Sequence, residues 1–175
     1  CLGAATWEMD TFCRLAGVEA SRNVPTAAVT CEGRPRLLIN PDFAARHCVR
    51  DEHLFLLAMH ELWHVLLAHT RLYARPTPDH NIAFDAVINA GLARQFPGVA
   101  YRGFFEDLNS AVAFPGLLLR PPTGWPSAPI YPSAIGPEDT ARVLEALYPR
   151  PGPEWAPMPT YAEILDLLTR ARGTS

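Results

Sequence analysis

The sequence predicts an α+β fold: a small sheet in the first quarter, long helices in the middle, and a proline-rich, largely irregular last third. Three observations carry this. Two β-branched or aliphatic runs flank a Gly-Pro turn at residues 26–40. Two long helical patterns follow, at about 52–72 and 78–96. Prolines then crowd residues 115–159, where neither a long helix nor a ladder can persist.

Residues 7–16 (WEMDTFCRLA) place Trp7, Met9, Phe12, Leu15 and Ala16 on one side of an amphipathic helix. Residues 26–31 and 36–40 read as strands around Glu32-Gly33-Arg34-Pro35, and Asn40-Pro41-Asp42 stops the second. Asp51 is a suitable N-cap for the helix over 52–72. The runs LFLLAM and LWHVLLA make that helix apolar on most sides, so it is expected to be buried and continuous. Thr77-Pro78-Asp79 supplies a cap, a first-turn proline and an acid for the dipole of the next helix. Pro97-Gly98 ends it. Two short helices are expected in the proline-rich part, over 137–147 and 160–170.

The 175 residues are expected to form one domain, 1–175, large enough to bury about two-thirds of its surface without disulfide support. The net charge of −3 comes with no basic run, so nothing points to nucleic acid. All fifteen basic residues are Arg, which reads as compositional bias. Cys1, Cys13, Cys31 and Cys48 lack C-x-x-C spacing and are expected to be reduced, buried thiols. No leader-like segment and no apolar run of membrane-spanning length appears, so a cytoplasmic location and no membrane are expected.

The chemistry lies in His60-Glu61-Leu62-Trp63-His64, an H-E-x-x-H sequence inside a predicted helix. Positions four apart share a helix face, so both imidazoles can reach one Zn2+ ion. Glu61 stands about 100° round from His60, where its carboxylate can serve as general base without binding the metal. In the next helix Asn81, Asp85 and Asn89 recur every four positions among Ile, Ala, Phe and Val. An Asp on a buried stripe needs a cation. Asp85 is therefore the expected third ligand; the alternative is a solvated edge, or a pair with an Arg such as Arg71. On a continuous helix His69 lies about 180° from His60, and no glycine stands between them to break the helix, so it is read as a supporting residue. Asn81, Asn89 and Arg71 are expected beside it, Asn89 accepting from the free N–H of a ligating His. His47, His53 and His80, near helix ends or loops, are read as surface residues. Stabilising a developing oxyanion falls to Tyr131, Tyr101, His80 or His69, among which the sequence does not choose.

These residues resemble a family. H-E-x-x-H-x-x-x-x-H ending at His69, with Arg71 and then N-I-A-x-D-x-x-x-N over 81–89, resembles the bacterial putative metallopeptidase domain of the predicted metal-dependent peptidases. Outside it, Leu37-Leu38-Ile39-Asn40-Pro41-Asp42-Phe43 and Phe114-Pro115-Gly116-Leu117 are similar to that family's flanking segments. The resemblance implies a zincin-like fold with an edge strand over a cleft and two metal-binding helices. It also implies a peptide or protein substrate, and partners among MoxR-type ATPases or von Willebrand factor A proteins. Residues 36–40 would then be the edge strand to which an extended peptide adds. The reading that follows is a zinc-dependent peptidase. The alternative is a zinc-retaining, non-catalytic binding or assembly module.

Overall fold

In a computed structural model the chain is described at residues 17–30, 35–69, 75–132, 134–150, 152 and 157–173. The expected helix over 7–16, the tip of the Gly-Pro turn, Cys1, Cys13, Cys31 and Arg71 lie outside the described residues. The chain divides into two compact units, Cys1–Ala68 and His69–Ser175. The architecture is α+β, with six α-helices and a three-stranded sheet among the described residues.

In the first unit, β1 (Gly17–Ala20), β2 (Ala27–Thr30) and β3 (Arg36–Ile39) form a sheet of order β1-β3-β2. β1 runs parallel to β3, from Gly17 opposite Arg36 to Ala20 opposite Ile39, and β2 runs antiparallel. This corrects the expectation for 36–40. β3 is the central strand, paired along both sides, and cannot receive an added peptide strand. The physical reason is apolarity: Leu37 is 1% exposed, whereas Val18, Glu19 and Ala20 of β1 are all exposed, so the greasier strand takes the middle.

Asn40-Pro41 starts a helix as well as ending a strand. The Asn40 side chain accepts from the backbone N–H groups of Asp42 and Phe43, with Pro41 in the first turn, and α1 follows (Pro41–His47). Helix α2 (Asp51–Leu66) buries His53, Leu56, Leu57, Ala58, Met59 and Leu62 and packs on β2. Each fully buried Leu contributes about 1.5–3 kcal/mol relative to exposure. His53, expected at the surface, is 3% exposed, its Nδ1 3.1 Å from the carbonyl oxygen of His47.

Helix α2 ends at Leu66, not near residue 72. Ala68 turns the chain with φ 55°, in the left-handed region that a glycine would take more cheaply. Two backbone bonds close the end: Leu67 N–H to Trp63 O at 2.9 Å, and Ala68 N–H to Val65 O at 3.0 Å. The continuous helix on which the placing of His69 rested is therefore broken before it reaches that residue.

In the second unit, α3 (Pro78–Gln95) is the central element. Thr77 and His80 form a reciprocal cap, Pro78 and Asp79 fill the first turn, and Phe96 closes the end just before Pro97-Gly98. Ala83, Ala86, Ile88, Ala90 and Leu92 are completely buried. Against α3 pack α4 (Val99–Leu108), a 3-10 turn (Gly116–Leu119), α5 (Thr140–Leu147) and α6 (Tyr161–Gly173). The apolar residues Ile164, Leu167 and Leu168 of α6 recur at helical spacing and form its buried stripe. The proline-rich stretch is irregular, as expected, but firmly tied. Trp125 is fully buried with its indole N–H donating to Pro149 O at 3.0 Å, and Arg94 donates to the carbonyls of Leu147 and Ala146 at the end of α5. Cys48 is a free, half-buried thiol, and burial raises its pKa. Among the described residues, no helix is long and apolar enough to cross a membrane.

Candidate metal centre

His60 and His64 fall one turn apart on α2, which brings their Nε2 atoms to 3.0 Å and their ring centroids to 4.7 Å. Both rings are half-buried, as is Glu61 beside them. Buried apolar neighbours on the same helix, Ala58, Met59 and Leu62, fix the orientation of this face. Asp85 is half-buried on α3. His60, His64 and Asp85 each offer one ligand atom, and these atoms all lie within 4.8 Å of one another.

The donor set fits a zinc ion. Two nitrogens sharing one tetrahedral ion at about 2.0–2.1 Å each stand about 3.3 Å apart, close to the observed spacing. Two imidazoles and one carboxylate make three protein ligands, the number that leaves a catalytic site one open position. Soft-metal sites want thiolates, and this trio has none.

The Asn/Asp/Asn stripe is graded rather than uniformly buried: Asn81 is exposed, Asp85 half-buried, and Asn89 6% exposed. The Asn89 amide donates from Nδ2 to Leu119 O at 2.9 Å, tying α3 to the 3-10 turn. His69 is 6% exposed and stacks on Phe84, with ring centroids 3.9 Å apart and planes at 16°. Phe84 precedes Asp85, so His69 buttresses the helix segment that carries the carboxylate. His80 is occupied at the helix cap, its Nδ1 2.6 Å from the Thr77 hydroxyl.

Of the two tyrosines, Tyr131 donates its hydroxyl to Tyr148 O at 2.6 Å, and Arg150 sits 5.1 Å from its ring centroid. Burial, helped by Glu145 and opposed by Arg150, raises its phenol pKa. The Tyr101 ring stacks on Phe96 at 5.2 Å. One residue escaped the sequence reading. Tyr161 sets its ring edge-on against Phe84 at 5.3 Å and against His69 at 6.5 Å. No motif marks it; only the fold of α6 back onto α3 puts it there.

A family model described as the putative metallopeptidase domain matches residues 10–101, more than half of the chain, and that span holds His60, Glu61, His64 and Asp85. No curated protein and no solved structure matches the chain.

Proposed function

As the chain belongs to the putative metallopeptidase domain family, we propose that it is a zinc-dependent peptidase in which His60, His64 and Asp85 hold the ion and Glu61 is the general base. The observation that carries this reading is the convergence of the three ligand atoms within 4.8 Å. Zinc, when bound, supplies Lewis acidity and brings the pKa of water down to about 7.

The chain's own residues divide the remaining work. His60 and His64 are spaced to act together because one helix turn separates them. Glu61 is offset by about 100° from His60, which keeps its carboxylate beside the ligands rather than among them. There it accepts a proton from water and returns it to the leaving amine. His69 and Phe84 hold the α3 segment bearing Asp85, and Asn89 anchors the same helix one turn on.

Glu61→Gln tests the assignment, because the amide keeps the shape and loses the basicity. Peptide hydrolysis is expected to vanish while zinc content and thermal stability stay at wild-type values. If wild type and variant behave alike against every peptide tried, the peptidase reading falls, leaving a metal-retaining assembly module.

A further inference from the structure

The second unit holds a cavity unrelated to the histidines. It has a volume of about 170 Å³ and is walled by Val112, Leu117, Pro122, Ile130 and Leu144, with Arg120 as its charged residue. An apolar cavity of about 150 Å³ accommodates a benzene-sized guest, so this one encloses about six to eight heavy atoms of a ligand, the rest of a longer one lying outside it. Val112 and Ile130 in its wall are 76% and 67% exposed, an unusual display for aliphatic side chains.

Arg120 is held by three hydrogen bonds and, among the described residues, meets no carboxylate. Its Nε donates to Pro121 O at 3.2 Å, and Nη1 donates to Glu106 O at 3.0 Å and Asn109 O at 3.3 Å. These are all backbone carbonyls, which satisfy N–H groups without supplying a negative charge. Among the described residues Arg120 makes no ion pair, and Nη2, with two N–H groups, has no acceptor. A fixed guanidinium with one nitrogen to spare, set in an apolar wall, matches a carboxylate carried on an aliphatic group.

We propose that this cavity binds a small aliphatic carboxylate, its chain against Leu117, Ile130 and Leu144 and its carboxylate on Nη2 of Arg120. The same chemistry occurs in a free branched-chain acid and in the C-terminal residue of a peptide ending in Leu or Ile.

The test uses the intact protein and amide-resolved NMR titration, following Val112, Leu117 and Ile130. The probes are 4-methylpentanoate, its amide, and N-acetyl-leucine. The acid is expected to bind saturably at millimolar concentration, about tenfold or more tighter than the amide, because a charge-assisted bond is lost in the latter. Ile130→Glu, a change at an exposed position, puts a like charge at the mouth and should weaken the acid several-fold while leaving the fold intact. Tighter binding of N-acetyl-leucine assigns the site to peptide C-termini, and tighter binding of 4-methylpentanoate assigns it to free acids. Equal affinity for acid and amide, no saturable binding, or indifference to Ile130→Glu overturns the proposal.

Discussion

Replacing Tyr131 with Phe removes one oxygen and nothing else, and the structure says where the loss is felt. The hydroxyl donates to the carbonyl of Tyr148, a residue that is completely buried at the end of α5. Without the hydroxyl that carbonyl loses a partner, a change worth about 1–3 kcal/mol when no water can replace it. Tyr131 is itself only half-buried, so the lower end applies, about 1 kcal/mol. For a chain of this size that lowers Tm by about 2–4 °C. The ring, and its contact with Arg150 at 5.1 Å, is kept. An oxyanion-stabilising hydroxyl would behave differently, its loss costing roughly 100- to 1000-fold in kcat. Thermal unfolding and peptide hydrolysis, measured on the same Tyr131→Phe preparation, separate the two roles. The structure predicts a small drop in Tm with kcat within about twofold of wild type. An unchanged Tm, or a hundredfold loss of kcat, would refute the reasoning.

Gly124 has φ +81°, and a Cβ there would stand 2.3 Å from the carbonyl oxygen of Ala128, so Gly124→Ala should cost at least about 2 kcal/mol in denaturant unfolding. Asp139 sits between α5 and α6, its Oδ2 2.8 Å from Nη2 of Arg170. The hydrogen bond from Arg170 holds the Asp139 carboxyl below its ordinary value of 3.8. Because the folded-state pKa is the lower one, the stabilisation is present above about pH 4 and lost as pH falls through the folded value. Asp139→Asn should therefore lower Tm at neutral pH, and its gap from wild type should close on acidification.

The parts of the fold that were legible are those with local chemistry at both ends. Helix α3 has Thr77-Pro78-Asp79 at its start and Pro97-Gly98 just after its end, and it runs where those residues put it. Helix α5 and helix α6 were readable from periodic apolar residues between prolines. Helix α2 is shorter than its sequence pattern, in which nothing over LLAHTRLY breaks a helix; the stop is made by Ala68 in a left-handed conformation, which no propensity favours. β1 was invisible for a related reason. GVEA is short and largely exposed, and it becomes a strand only by pairing with β3. Pairing is non-local, so the identity of the central strand was not in the sequence pattern either. Two further helices have local signals: an Asn-Pro cap for α1, and Phe104, Phe105 and Leu108 at helical spacing after Gly98 in α4.

In the candidate site, spacing alone brings His60 to His64, because a helix turn is a local object. Asp85 stands on another helix, and only the four-residue recurrence of Asn81, Asp85 and Asn89 marks it as a candidate ligand. The stacking of His69 on Phe84 and the approach of Tyr161 were beyond any pattern, since each needs chain far away in sequence.

Metal content tests the central claim most directly. Wild type, Asp85→Ala and His69→Ala are purified, exposed to zinc, desalted and measured by elemental analysis, with circular dichroism confirming that each is folded. About one zinc per chain is expected in wild type and in His69→Ala, and its loss in folded Asp85→Ala. Zinc retained by Asp85→Ala and lost from folded His69→Ala would contradict the claim.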